Sequence, residues 1–453
     1  MQLKRKFLRS GLLLLCLLAP LVVWRLLLGY DVNLRLAAIR AAGLPTNGRE
    51  LDNWYAAVPD RENAALVLTQ AFALRRNYAD NRSNAVWNFK LPKRGETLTP
   101  KQNELLAGYV EMNSEALAKA NEALKLPACR YPIDCSLCAQ TPLPHLTWLV
   151  HLAEQNQYKA FLAIQAGNAK EASPCIETML DLAGTLRKEP ILISQLVRYK
   201  ILRRAVETLE RRINGGALGS GEAVDLRAGF GRSGVSNSLA CALIGERAFY
   251  ATYFRMAPGD AARIYSPIKD GDKEADSKSP IPRKRSLALR LIGFYDLDFG
   301  HFLFAMNTNI ALASLPPPDN LRTDSMLART GAAAKKHHRI VSGLFLSNLV
   351  GSAARENEVV AYLRMAAAAL ALEQFRNQNG RLPETLDELT PALLEEVPED
   401  PFTGLDLQYR RLEKGYLIYS VGRDLQDDHG LEKSEKKTSL DRQSYDLTFR
   451  VER

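Results

Sequence analysis

Cys129, Cys135 and Cys138 fall within ten residues of one another, and His145 follows seven residues later. Three thiols and an imidazole could hold zinc as a Cys3His site, because zinc takes four soft or borderline ligands. His151 is the other imidazole nearby. The Cys135-Ser-Leu-Cys138 spacing also suits a redox pair, but a thioredoxin-like role needs a strand before the motif and a helix after it. Tyr131-Pro132 and Thr141-Pro142 flank the motif instead. The spacing therefore predicts a disulfide among Cys129, Cys135 and Cys138, or plain buried thiols. Asp270, Asp272 and Glu274 start like a calcium loop, but Ala275 replaces the turn glycine and Ile281 the final glutamate. His337-His338 reads as part of a solvated charge cluster with Lys335-Lys336, and Glu210-Arg211 and Glu246-Arg247 as helix-surface or packing ion pairs. No phosphate-binding glycine loop, GxSxG or HExxH occurs, so no motif names a reaction.

These residues lie in a chain of 453 residues, long enough for two or three domains, with 46% apolar and 25% charged residues. That balance excludes a disordered chain. The net charge of +9 is uneven: residues 356–453 hold 13 Lys/Arg against 20 Asp/Glu, leaving the first 355 residues at +16. A boundary near residue 355 follows. No cluster of basic and aromatic residues forms a nucleic-acid motif, so no nucleic-acid partner is expected.

Lys4, Arg5, Lys6 and Arg9 precede an apolar run from Gly11 to Trp24, continued past Arg25 by Leu26, Leu27 and Leu28. The residues after that core lack a small-x-small cleavage site, and Leu15 rather than a small residue precedes Cys16. A retained single-pass anchor is expected, with Arg25 snorkelling to the interface. Its positive flank places residues 1–9 in the cytoplasm and the bulk of the chain outside the cytoplasmic membrane.

Apolar residues at three- and four-residue spacing dominate residues 31–355 and predict helices. Runs begin at Ala64 and Gln102, and a series extends from Leu146 to Arg212 with breaks at Gly167-Asn168 and Glu189-Pro190. Ser286 to Leu312 reads as a helix broken near Gly300, and Asp270 to Arg285 as a loop. Tyr158 to Leu186 resembles one tetratricopeptide-type hairpin, without a second copy at a fixed period. Together, 44–63 (LPTNGRELDNWYAAVPDREN), 129–145 and 189–201 (EPILISQLVRYKI) resemble membrane-anchored bacterial proteins of the same layout.

The tail predicts a helix over Val359–Phe375 closed by Asn379-Gly380 and a short amphipathic helix over Thr385–Leu394. An antiparallel hairpin turns at Lys414-Gly415, and a third strand lies within Tyr445–Val451. The helix ending FRNQNGRLPETLDEL, the VPEDPFTG bend and the YLIYSVGRD turn into an acidic loop resemble the globular head of the major pseudopilin of type II secretion. That resemblance implies a calcium site at Asp424, Asp427, Asp428 and Asp446, although Lys433, Lys436 and Lys437 enlarge the loop. The prepilin-peptidase signature is absent, since the fifth residue after Gly11 is Cys16. Polymerisation is therefore not implied.

The expected protein is mainly α: residues 10–29 as the anchor, 30–355 as a helical extracytoplasmic body, and 356–453 as a small α+β head with an antiparallel sheet. Its expected role is a cell-envelope scaffold or interaction protein that touches the lipid bilayer, other envelope proteins and secretion machinery. The alternative is an extracytoplasmic enzyme with its site in the helical body near residues 129–145.

Overall fold

The structure is a computed structural model that describes residues 2–255, 289–432 and 445–453; side chains 2–18 and that of residue 139 lie outside the description. The loop expected at Asp270–Arg285, the start of the helix expected from Ser286, and Lys433, Lys436 and Lys437 fall outside the described residues. The protein is mainly helical, with one small antiparallel sheet near its C-terminus.

Helix α1, Gln2–Ala41, runs through the whole expected anchor segment. Val32, Leu36 and Ile39 recur at helical spacing and are buried, so the end of α1 belongs to the body. Earlier on the same helix Val22, Val23, Leu26 and Leu27 are exposed. Among the described residues, no helix is long and apolar enough to cross a membrane. Arg25, expected to snorkel, instead pairs with Asp296.

The body continues with α2 (Gly48–Trp54), α3 (Ala64–Ala73), α4 (Arg82–Trp87), α5 (Pro100–Met112) and α6 (Ser114–Ala123). Polar residues start several of these. The Asn63 Oδ1 accepts from the Ala65 amide at 3.1 Å, and Thr99 and Gln102 form a reciprocal capping box at α5. Helices α7 (Pro144–Gln165) and α8 (Ala172–Gly184) pack together across a turn at Gly167, which has φ +82°. Then follow α9 (Leu192–Asn214), α10 (Ser220–Arg232) and α11 (Ser238–Ala251). Pro190 stands two residues before α9, in the break expected at Glu189-Pro190.

Helix α12, Phe294–Ala313, runs unbroken through Gly300, where a break was expected. Packing overrides propensity there: a side chain at residue 300 would meet the Asp31 carboxylate at 3.5 Å, and the helix is clamped between α1 and α11. Helices α13 (Arg322–Lys336) and α14 (Ile340–Leu349) complete the body.

Helix α15, Ser352–Asn379, ends at Gly380, whose φ of +68° and bond to the Arg376 carbonyl make the expected cap. The short helix expected over 385–394 is a single 3-10 turn, Leu386–Leu389. Pro391 prevents its continuation, since its ring would collide with the carbonyl one turn earlier. Strands β1 (Gln408–Arg411), β2 (Tyr416–Ser420) and β3 (Leu447–Val451) form an antiparallel sheet in the order β1-β2-β3. Every residue of β2 is buried, whereas β3 alternates. The residue 355 boundary falls inside α15, and one apolar core runs from Leu68 and Leu149 through Leu202 and Leu370 to Ile418 and Phe449.

Candidate functional site

The described cysteines are all free thiols, so of the two arrangements expected for Cys129, Cys135 and Cys138 the structure has plain thiols rather than a disulfide. The fold separates them. Cys129 packs against the main core, while Cys135 and Cys138 lie in a small cluster with Leu51, Ile191 and Phe249. The Cys138 Sγ is 3.6 Å from the Ser136 carbonyl and 3.4 Å from the Thr252 hydroxyl. Burial pushes the Cys129 thiol up to about 12 and the Cys135 thiol well above its ordinary value, so neither supplies thiolate at neutral pH. The four residues of the zinc set do not converge, and no metal-holding group of three or more ligands occurs among the described residues.

His145 has a different partner. Its Nε2 lies 3.0 Å from the Glu189 Oε1, which also accepts from the Ser194 hydroxyl at 2.5 Å, and Tyr131 stacks on the imidazole at 4.1 Å. Ser, His and Glu together suggest nucleophilic chemistry. However, the carboxylate sits between the hydroxyl and the imidazole, so His145 cannot take the Ser194 proton. Glu189 and Ser194 are fully buried as well. The arrangement pins α7 to the start of α9.

The paired residues Glu246 and Arg247 are both buried and point apart. The Glu246 Oε1 accepts from the Leu192 amide at 2.9 Å, and the Arg247 guanidinium donates to Asn307 Oδ1 at 2.7 Å and to the Pro45 carbonyl. Neither sequence neighbour is the other's partner.

The four tail aspartates divide in two. Asp424 and Asp427 are exposed and accept from nearby amides, Gln426 at 3.2 Å and His429 at 2.8 Å. Asp446 is buried; its Oδ2 accepts from the Gly430 amide at 2.7 Å, and its Oδ1 has no partner. The Asp428 Oδ2 is likewise buried and unpartnered. Burial, then the charges of Asp427 and Asp428, hold the Asp446 carboxyl above the usual range. The loop therefore presents two orphaned carboxylate oxygens rather than four convergent ligands.

A cleft of about 1130 Å³ that no motif signalled opens elsewhere on the molecule. One wall is the 89–97 segment; α7 and α9 form the floor, and Glu432 and Glu452 of the tail close one end. Its arginines are held internally. Arg94 bridges Glu210 at 2.6 Å and Glu432 at 2.9 Å, Arg204 bridges Glu154 at 2.6 Å, and Arg203 bridges Glu207 at 2.9 Å. Arg211 donates to the Pro92 carbonyl at 2.7 Å and covers the Phe161 ring. Asn214 links the outer edge of β3 to α9, donating to the Arg450 carbonyl at 2.9 Å and accepting from the Glu452 amide at 2.8 Å.

Comparison with known proteins gave no match: no protein-family model, no curated protein and no solved structure is significantly similar to the chain.

Proposed function

We propose that the chain is a membrane-anchored, extracytoplasmic interaction protein of the cell envelope, whose cleft takes an extended segment of a partner protein. The cleft carries this reading. At about 1130 Å³ it exceeds the usual range for a small-molecule pocket, and its internally paired Arg and Glu side chains suit a chain of mixed polarity better than a polyanion. Head and body build it jointly, through the Arg94–Glu432 and Asn214–Glu452 contacts. The exposed apolar face of α1, with Leu291 and Ile292 exposed beside Trp24, supports the anchor. Secretion machinery remains the partner class suggested by the pseudopilin-like tail.

Photocrosslinking in the native envelope tests this. A photoreactive residue at Gln165 or Lys200, inside the cleft, should capture one defined envelope protein, whereas one at Glu115 should not. Arg94→Glu would set a third carboxylate beside Glu210 and Glu432 and should abolish most of that yield. Equal capture from cleft and outer positions would refute the reading.

In the same reading the tail loop holds calcium through Asp428 and Asp446. A divalent cation would satisfy the two unpartnered oxygens, with backbone carbonyls and water completing the about six to eight oxygen ligands calcium takes. Adding calcium should raise the melting temperature of the full chain, and Asp428→Ala should remove the rise. An unchanged melting temperature in wild type would eliminate the site.

A further inference from the structure

A second, smaller pocket of about 470 Å³ opens beside the C-terminus of α2, where the α8–α9 and α10–α11 connections meet. Arg187 and Lys188 enter from the first connection, Arg198 from α9 and Arg232 from the end of α10. Half-buried Trp54 and exposed Asn237 are among its aromatic and polar lining. No carboxylate lines it. In the larger cleft Arg94, Arg203 and Arg204 each have a carboxylate, but among the described residues none of these four cations forms an ion pair.

Arg198 makes the contrast sharp. It is 1% exposed, yet its partners are neutral: Nη2 donates to the Gly234 carbonyl at 2.7 Å and the Ser233 carbonyl at 3.4 Å, and Nη1 to the Gln195 Oε1 at 3.4 Å. Its Nε has no acceptor. Carbonyls satisfy donors without cancelling charge, and a buried unneutralised guanidinium is costly. Burial, followed by the charge of neighbouring Arg187, pulls the Arg198 pKa down to about 10. The Glu356 field reaches Arg198, but its carboxylate is already committed to Tyr199, Ser238 and the Leu239 amide. The Arg232 field reaches Glu177 and Asp181, which lie outside the pocket. Arg187 itself donates to the Arg232 carbonyl, which ties the two rim arginines together.

We propose that this pocket binds a phosphomonoester, borne by a free small molecule or by a lipid headgroup. A dianion with several equivalent oxygens matches multiple cationic donors, and planar guanidinium forks suit phosphate geometry. The pocket is larger than a bare phosphate needs and falls within the size range of small-molecule sites. The remaining space, beside Trp54, takes the organic part of the ligand.

Calorimetric titration of the detergent-solubilised full chain, at fixed ionic strength, distinguishes the sources. Phenyl phosphate is the free probe, and dihexanoylphosphatidic acid the lipid probe with dihexanoylphosphatidylcholine as its control. Saturable binding of phenyl phosphate, weakened about tenfold by Arg187→Gln and by Arg232→Gln but not by Lys90→Gln, supports the site with a free ligand. The same residue dependence with phosphatidic acid alone supports it with a lipid headgroup. Both rim arginines are exposed, so the variants should melt with wild type; Lys188→Gln replaces either one that does not. Failure of both probes to bind, or binding indifferent to these substitutions, overturns the proposal.

Discussion

Gly245→Ala should destabilise the body by about 4 kcal/mol, although it replaces a poor helix former with the best one. Gly245 lies within α11, where that helix crosses the connection ahead of α9. A Cβ there would sit 1.7 Å from the Pro190 carbonyl oxygen and 2.9 Å from its carbon. Both are backbone atoms, so no rotamer change relieves the collision and the two elements must separate. Overpacking alone costs roughly 1–3 kcal/mol. Separation would also pull the buried Glu246 carboxylate from the Leu192 amide, adding about 1–3 kcal/mol for an unsatisfied buried group. Against a total stability of roughly 5–15 kcal/mol, that loss should be plain in the urea midpoint. Gly184→Ala in α8 is the control: nothing lies within 4 Å of its Cβ, so about 0.5–1 kcal/mol of stabilisation is expected. Equal midpoints for Gly245→Ala and wild type would refute the collision between α11 and the Pro190 carbonyl.

The elements that sequence pattern revealed are those whose chemistry is local. Gly380 and Gly415 have positive φ, and each sits where its turn was expected. The hairpin and third strand follow from short β-forming runs around such turns. Helices in the body follow from apolar spacing, because each needs only one face to meet the core. What pattern could not give is which distant residues meet. Arg94 finds Glu210 and Glu432 across more than a hundred and more than three hundred positions, and Arg198 meets Arg187 and Arg232 through three different elements. No spacing rule encodes such pairs. The cysteine cluster shows the reverse error: proximity in sequence suggested a joint site, but the chain turns Cys129 into one core and Cys135 into another. Likewise Glu246 and Arg247, adjacent and opposite in charge, serve different partners because successive helix positions face different ways.

Glu356 provides the second large effect, at the joint where α15 meets the body. Its Oε1 accepts from the Ser238 hydroxyl at 2.7 Å, the Tyr199 hydroxyl at 3.0 Å and the Leu239 amide at 3.0 Å. Its Oε2 lies 3.4 Å from Asn320, which exchanges two bonds with Asn357. Glu356→Ala leaves these buried donors without an acceptor and should cost about 3–5 kcal/mol. Glu356→Gln keeps an acceptor for the first three but turns an amide donor toward Asn320, so about 1–2 kcal/mol is expected. The two variants also differ from wild type in a pH-dependent way. Burial raises the Glu356 pKa, so the proton stabilises the folded state. That stability is fully present below the ordinary glutamate value and fades as pH rises through the folded one. The deficit of Glu356→Gln should therefore be largest in acid and narrow toward neutral pH. Denaturant midpoints for the three proteins, taken across that interval, measure both statements. A glutamine variant as damaging as the alanine one, or a deficit that widens with pH, would mean that this carboxylate holds the joint through its charge rather than through the bonds it accepts.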